Sequence, residues 1–236
     1  TMSEGDLQHR FTLSSADFKT LIDRTRFAMS VEETRYYLNG IYIHTTKTKG
    51  DLAVLRAVAT DGHRLARLEM PAPREAGAMS GVILPRKAVA EIRKLLDETT
   101  ADITIALSGS KARISFDNVV MTSKLIDGTF PDYERVIPQG NDKILEVPAK
   151  VLANAVDRVA TISSEKSRAI KIALSKNLLT LSASSPEAGS AVEELEVSYK
   201  GEAIEIGFNA RYLLDILSPI EGEGARFSMA DAASPT

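Results

Sequence analysis

Apolar residues recur at helical spacing in four places along the chain. In the first, Phe18, Leu21 and Ile22 share one face, because residues three and four positions apart lie on the same side of an α-helix. Each amphipathic stretch follows a short strand-like run, and these runs begin near Phe11, Ile83, Glu146 and Ile206. An interval of roughly 60–70 residues is too long for most solenoid repeats. The pattern therefore predicts one strand–helix unit used four times.

The intervals between the helices contain further strand-like runs, bounded by turn signals such as Asp61-Gly62. They are Arg35–Thr45, Leu52–Ala59, Arg64–Met70, Ile103–Leu107, Ala112–Phe116, Val119–Leu125, Ile170–Leu174, Leu178–Ala183, Ala191–Tyr199 and Ala225–Met229. Strand–helix units followed by such meanders predict an α+β fold, with two helices packed on antiparallel β-sheets in each domain.

A break in the pattern at Gln139–Lys143, next to Pro138 and Gly140, indicates a domain boundary. We therefore expect a first domain over residues 1–138, opened by a short linker at 1–10, and a second domain over 139–236. A chain of 236 residues that is 44% hydrophobic is large enough for two buried cores.

The amino-acid composition limits the kinds of site and partner that the protein can have. The chain has no cysteine, which excludes disulfides, thiolate metal sites and cysteine nucleophiles, and fits a reducing cytoplasm. It has no apolar run long enough to span a membrane. The net charge of −3 lacks the basic excess of a protein that holds nucleic acid by charge alone, so the distribution of cations matters more than their sum.

Asp61-Gly62-His63-Arg64 is the strongest catalytic candidate, because a carboxylate near an imidazole can orient a general base. However, Asp-Gly between two strands is a strong turn signal, and residues two apart at a tight bend need not face each other. The three histidines, His9, His44 and His63, are not at the i, i+4 spacing of a helical metal site. We expect no catalytic residue, no metal and no cofactor.

Cations recur on or beside the predicted helices. A charged helix face is usually just the face exposed to solvent. However, equivalent elements in repeated units tend to line one common surface, so the cations of four such helices could together form one positive face. Tyr36-Tyr37 lies in a predicted strand, where one tyrosine is expected in the core and the other free for contacts. The residues assigned to this DNA-facing surface are Arg24, Tyr36, Tyr37, Arg86, Lys87, Lys94, Arg168 and Lys171.

Several segments, taken in order, resemble the bacterial DNA polymerase III beta subunit, the sliding-clamp family. They are Phe11-Thr12-Leu13, Arg35-Tyr36-Tyr37-Leu38-Asn39-Gly40, Ala59-Thr60-Asp61-Gly62-His63-Arg64-Leu65-Ala66, Pro85-Arg86-Lys87, Thr122-Ser123-Lys124-Leu125, Phe130-Pro131-Asp132-Tyr133 and Ile206-Gly207-Phe208-Asn209. The resemblance covers nearly the whole chain, and the combination of segments is far more specific than any one of them.

The resemblance implies a non-catalytic processivity factor of the replicative polymerase. By the same resemblance, two protomers of three similar domains are expected to form a ring around double-stranded DNA, with helices inside and sheets outside. The present chain resembles the second and third domains, without the first domain and without the family's C-terminal Met-Pro-x-Arg type tail. Ring formation is therefore expected only of the full-length homodimer.

The resemblance also implies a pocket for short peptides that end in Leu-Phe or a similar pair. Such peptides are carried by the polymerase III alpha subunit, the clamp loader and repair polymerases. The pocket maps onto Leu38, Thr60, Gly62, His63, Arg64, Leu65, Pro131, Tyr133, Arg135, Val136, Asn209 and Tyr212. Two alternatives remain open at this point: a hydrolase that uses Asp61 and His63, and a scaffold that binds peptides but not DNA.

Overall fold

The computed structural model describes residues 7–77, 79–163, 168–222 and 224–236. The described residues form two compact units, one up to Pro131 and one from Asp132 onward. The sequence pattern put the boundary after Pro138, whereas in the structure the 3-10 helix Tyr133–Val136 belongs to the second unit. Of the expected linker at 1–10, residues 1–6 lie outside the described residues.

The first unit contains two helices and two four-stranded antiparallel sheets, ordered β4-β3-β2-β5 and β1-β6-β7-β8. Its elements are β1 (His9–Ser14), α1 (Ser15–Asp23), β2 (Gly40–Lys47), β3 (Ala53–Thr60), β4 (Leu65–Pro71), β5 (Val82–Pro85), α2 (Arg86–Leu95), β6 (Asp102–Leu107), β7 (Lys111–Phe116) and β8 (Val119–Lys124), with 3-10 helices at Arg26–Ala28, Glu33–Leu38 and Arg74–Ala76. Phe18 and Leu21 of α1 and Ile92 of α2 are buried in one core with both sheets.

The second unit has its own core, in which Leu152 and Val156 of one helix pack with Leu213 of the other. Its sheets are ordered β12-β11-β10-β14 and β13-β9-β15. The elements are β9 (Lys143–Pro148), α3 (Ala149–Ala160), β10 (Ala169–Ser175), β11 (Leu178–Ser185), β12 (Gly189–Glu196), β13 (Ser198–Tyr199), β14 (Ile204–Asn209), α4 (Ala210–Leu217) and β15 (Gly224–Met229).

The prediction of a repeated strand–helix unit is confirmed, since β1, β5, β9 and β14 each lead directly into a helix. Two of these junctions are closed by a polar side chain. Ser14 Oγ accepts from the Asp17 N–H at 3.0 Å, and Asn209 Oδ1 accepts from the Arg211 N–H at 3.0 Å. The other two use Pro85 and Pro148, whose fixed φ suits a helix entry. Helices of both units therefore start where a strand ends.

Two strand predictions were wrong in part. The run Arg35–Thr45 begins as the 3-10 helix Glu33–Leu38, and the strand starts only at Gly40. Gly40 is buried where a Cβ atom would overlap the Leu84 carbonyl oxygen of β5, so this strand pairing needs glycine. The run Ala191–Tyr199 is divided at Val197 into β12 and β13, which join different sheets.

Candidate functional site

The turn between β3 and β4 is built from its own side chains. Thr60 Oγ1 donates to the Arg64 carbonyl at 2.7 Å and accepts from the Gly62 N–H at 3.1 Å. Asp61 Oδ1 accepts from the backbone N–H groups of His63 at 2.9 Å and Arg64 at 3.0 Å. Such a carboxylate-capped turn fixes the backbone of residues 60–64 and leaves His63 exposed at its tip.

Arg64 completes the turn. Its Nε donates to Asp61 Oδ2 at 3.1 Å, and its guanidinium carbon lies 5.6 Å from the centre of the Phe27 ring. Both carboxylate oxygens of Asp61 are thus engaged by the turn, which gives this residue a structural role. The geometry does not support the hydrolase alternative, in which Asp61 would orient His63 as a base.

The 3-10 helix Glu33–Leu38 adjoins this turn through Arg35. The Arg35 Nη1 donates to the Asp61 carbonyl at 3.4 Å, while Nε pairs with Glu32 Oε2 at 3.2 Å. Gly62 has φ +87°, and a Cβ atom there would lie 2.6 Å from Arg35 Nη1. Leu38, at the end of the same 3-10 helix, is buried at 5% exposure. The structure therefore places Leu38 and the 60–65 turn on neighbouring segments of the first unit.

The segment that leads to Pro131 is held against the sheet β4-β3-β2-β5. Phe130 stacks on Tyr42 with ring centroids 4.8 Å apart, and Tyr42 also stacks on His44 at 4.8 Å. Phe130 is buried, whereas the next residue, Pro131, is exposed. The aromatic stack covers one face of the sheet and holds Pro131 at the surface of the first unit.

Five of the proposed peptide-binding residues belong to the second unit. Tyr133 is buried, whereas Arg135 and Val136 in the same 3-10 helix are exposed. Arg135 Nε pairs with Asp132 Oδ2 at 2.7 Å, with its side chain 84% exposed. Asn209 caps α4 and Tyr212 is half-buried in its first turn. Asn209 thus has a helix-capping role besides any role in binding.

An ion-pair network joins α1 to the C-terminal turn of α2. Arg93 Nε donates to Asp23 Oδ1 at 2.6 Å, and Asp97 accepts both Lys19 Nζ at 2.6 Å and Arg93 Nη1 at 2.7 Å. Hydrogen bonds from Arg93 and then Lys19 lower the pKa of Asp97 to about 2. These cations are already neutralised, which reduces their contribution to a positive helix face.

Other cations of the first unit remain at the surface of α2. Arg86 and Lys87 are exposed in its first turn, and Lys94 is exposed near its end, 3.1 Å from Glu91. The Arg86 N–H donates to the Asn39 carbonyl at 2.8 Å, which brings the start of α2 next to the segment that follows Tyr36 and Tyr37. Arg24 is half-buried at the C-terminal end of α1, where a positive charge interacts favourably with the helix dipole.

The two tyrosines depart from the expected alternation. Because Tyr36 and Tyr37 lie in a 3-10 helix, neither enters the core: Tyr36 is 53% exposed and Tyr37 is half-buried. Their rings meet edge to face at 5.7 Å. A Cβ atom at Gly128 would lie 3.1 Å from the Tyr37 Cβ, so the segment after β8 passes close beside this pair.

Lys171 does not lie with the helices. It is in the middle of β10, where Ile170 and Ile172 point into the core with α3, so the alternating Lys171 points to the opposite face. There its Nζ is 3.3 Å from Glu205 Oε2. Arg168, in contrast, lies at the start of α4, since its carbonyl accepts from the Ala210 N–H at 2.8 Å. Lys171 is close in sequence to α3, but it lies in a strand, and the alternation of side chains along that strand places it on the face away from the core.

Neither a metal centre nor a membrane span is found in the part of the chain that the structure describes. Within it, no group of three or more His, Asp or Glu side chains could hold a metal ion. No helix formed by these residues is both long and apolar enough to cross a membrane.

Two family models together match almost the whole chain. The model for the central domain of the DNA polymerase III beta subunit matches residues 12–132, and the model for its C-terminal domain matches residues 134–236. The chain belongs to the DNA polymerase III beta-subunit family. The clamp fold expected from the sequence is confirmed by solved structures of this family.

Members of the beta-subunit family from several bacteria are similar to the chain. The Beta sliding clamp of Caulobacter vibrioides is 54% identical over 235 residues, and that of Escherichia coli K12 is 41% identical over 224 residues. The alignments cover 100% and 95% of this chain but 63% and 60% of those relatives. The crystal structure of the Caulobacter crescentus clamp has a TM-score of 0.95 at 53% identity, covering 100% of this chain and 63% of the other. A clamp from Bartonella birtlesii, bound to griselimycin, has a TM-score of 0.94 at 49% identity, covering 99% and 63%.

Sequence reasoning missed two residues that hold the 60–65 turn in place. Arg35 bonds to its backbone, and Phe27 lies under the Arg64 guanidinium. Arg35 was detectable, since it opens the Arg-Tyr-Tyr-Leu-Asn-Gly segment. Phe27 carried no signal, because its contact joins a 3-10 helix to a turn far away in sequence.

Proposed function

We propose that the chain serves as part of a DNA sliding clamp, the non-catalytic processivity factor of a bacterial replicative polymerase. The match to two beta-subunit domain models carries this proposal. Relatives named Beta sliding clamp are longer than the chain, so ring formation by a homodimer is proposed for the full-length protein. A cytoplasmic location follows from this role.

The helix entries support contact with DNA. The first turns of α2, α3 and α4 contain no acidic residue, and they carry Arg86 and Lys87, Lys150, and Arg211 respectively. Cations at the positive end of a helix dipole cost stability, so their repeated use there favours a role in attracting phosphates. The proposed DNA-facing surface comprises Arg24, Tyr36, Tyr37, Arg86, Lys87, Lys94 and Arg168.

Weak contacts are what a sliding protein needs. Tight phosphate bonds would resist movement, whereas a closed ring retains DNA by topology and needs only diffuse positive charge around it. A chain with a net charge of −3 is compatible with this mechanism, because the mechanism requires cations to be concentrated on the surface that faces DNA and does not require a positive net charge.

We further propose that short peptides ending in Leu-Phe bind at the 60–65 turn of the first unit. His63 is exposed at this turn and Leu65 is half-buried beside it, while the hydrogen bonds of Thr60, Asp61 and Arg64 fix the backbone. Leu38 is buried in the 3-10 helix that adjoins the turn, and Pro131 is exposed at the surface of the same unit. A preformed surface lowers the ordering cost of binding. Tyr133, Arg135, Val136, Asn209 and Tyr212 of the second unit are also proposed as peptide-binding residues, and Arg135 is tested by its own variant.

The proposed partners are the polymerase III alpha subunit, the clamp loader and repair polymerases. The test is a calorimetric titration of a Leu-Phe-ending peptide together with retention of the full-length protein on circular DNA. We expect the peptide to bind. We also expect the full-length protein to stay on circular DNA and to dissociate from it when the circle is cut. Peptide binding without retention would favour the scaffold alternative, and peptide-independent hydrolysis would favour an enzyme.

A further inference from the structure

The sheet β1-β6-β7-β8 has a strongly basic outer face, meaning the face opposite the core. Phe11, Ile105 and Ile114 point inward, so the alternating residues of these strands point outward. Four outward positions are cationic, and we call them the sheet-face cluster: Arg10, Lys111, Arg113 and Lys124.

The register places these four residues in two adjacent rows across the sheet. Arg10 and Arg113 both lie directly opposite Ala106, one on each side. Lys111 lies directly opposite Lys124. Ala106 is only 7% exposed although it is on the outer face, as expected if the arginine stems cover it. The cluster is therefore one compact patch rather than four scattered charges.

This arrangement is unfavourable for folding alone. Like charges directly opposite on neighbouring strands destabilise a sheet. Among the described residues, no carboxylate is paired with Arg10, Lys111 or Lys124. The only acidic residue in these four strands is Asp102, which is opposite Ser14 and thus separated from Arg10 by another row. The opposed Lys111 and Lys124 thus carry a cost without a local structural gain, which indicates a ligand for the patch.

The second unit shows that a basic outer face is not a general property of these sheets. The sheet β12-β11-β10-β14 is likewise a three-strand meander joined to a strand that enters a helix. Its corresponding row holds Glu194, Thr180, Ala173 and Glu205. The same place in the repeat is acidic there, so the sheet-face cluster is specific to the first unit.

The chemistry of the surrounding positions identifies the ligand class. The row on the other side of Arg10 and Arg113 contains hydroxyls from Thr12, Thr104 and Ser115, which can donate to phosphate oxygens beside the arginines. Large apolar anchors, which a protein interface needs at its centre, are missing from this face of the four strands; Val120 at its edge is its one sizeable apolar side chain. The face also offers no aromatic ring for base stacking.

We propose that the sheet-face cluster binds the phosphate backbone of a nucleic acid strand, independently of sequence. This contact would be separate from the DNA-facing surface proposed above, and it does not depend on ring formation. It gives the protein a second place to hold DNA, on the side of the first unit away from its helices.

The test compares two variants of this chain with the same change in charge. In the face variant Arg10, Lys111, Arg113 and Lys124 become Gln; in the control variant the exposed Lys49, Arg74, Lys176 and Lys200 become Gln. Binding to single-stranded and duplex oligonucleotides is measured across a salt series. We expect the slope of log K against log salt to fall by about two to four in the face variant relative to the control variant.

A smaller variant guards against misfolding. Lys111→Gln with Lys124→Gln removes the opposed like charges, so the Tm is expected to stay level or rise while DNA affinity falls. A fall in Tm with unchanged DNA affinity would show a structural role and overturn the proposal. Equal salt slopes in the face and control variants would also overturn it. Binding of polyglutamate but not of DNA to the cluster would overturn it in favour of an acidic protein partner.

Discussion

Arg64 Nε lies 3.1 Å from Asp61 Oδ2, and the two side chains are only 13% and 16% exposed. Another pair with the same spacing, Arg135 and Asp132, is 2.7 Å apart, but those side chains are 84% and 58% exposed. Identical sequence separation therefore gives one desolvated pair that builds a turn and one solvated pair. Burial, rather than distance, determines what each contributes.

Asp61→Asn is expected to lower the free energy of unfolding by about 1–3 kcal/mol, because Arg64 then loses a partner in a largely buried position. Denaturant unfolding of the two variants Asp61→Asn and Asp132→Asn measures the difference. The exposed pair at Asp132 is expected to contribute between zero and about 1 kcal/mol. Equal losses in both variants would contradict the assignment of Asp61 to the turn.

Gly62→Ala tests the backbone of the same turn. With φ at +87°, an L-residue costs about 1–2 kcal/mol, and its Cβ would also displace Arg35. We expect lower stability and weaker binding of a Leu-Phe-ending peptide. Gly109→Ala is the matched control, because a Cβ there meets no atom within 4 Å. The expectation fails if the two alanine variants unfold at the same denaturant concentration.

The sequence predicted the repeated strand–helix unit well because both periodicities are local. In α1, for example, Phe18, Leu21 and Ile22 were predicted from apolar spacing to share one face, and all three are buried. Position in three dimensions was harder to predict. Tyr36 and Tyr37 were assigned to the strand-like run Arg35–Thr45, which begins as a 3-10 helix, and Lys171 was grouped with cations on or beside the helices although it lies in β10. The structural role of Asp61 depends on the hydrogen bonds that its carboxylate accepts from the His63 and Arg64 N–H groups and from Arg64 Nε, which spacing does not show.

His63→Ala and Arg135→Ala are expected to weaken binding of a Leu-Phe-ending peptide at least about tenfold each, equivalent to about 1.4 kcal/mol. Both residues are exposed, so the Tm is expected to stay close to that of the unaltered chain. Calorimetric titration gives the affinity, with the exposed Arg74→Ala as the control. Unchanged affinity in both variants would remove His63 and Arg135 from the proposed peptide-binding residues.

Asp97→Asn probes the network between α1 and α2. The pKa of Asp97 is lowered from 3.8 to about 2, so its ionised form stabilises the fold above pH 4 and this contribution is lost as the pH falls toward 2. The variant is expected to have a lower Tm than the unaltered chain at neutral pH, and this difference is expected to shrink as the pH falls from 4 toward 2. High salt is expected to shrink the neutral-pH difference, because the side chain is 55% exposed. A Tm difference that is as large at pH 2 as at neutral pH would assign Asp97 a role other than ion pairing.

The part of the proposed DNA-facing surface that lies on α2 is tested by substituting Gln for Arg86, Lys87 and Lys94. Each lost phosphate contact is expected to reduce the salt slope of duplex binding by about one, while peptide affinity stays unchanged. The matched control neutralises Lys171, Lys176 and Lys200, which are exposed on a strand and in loops of the second unit. Because Lys171 points away from α3 and α4, this control is expected to leave the slope nearly intact. Equal slopes in the two triple variants would mean that net charge alone attracts DNA and that α2 has no special part in binding it.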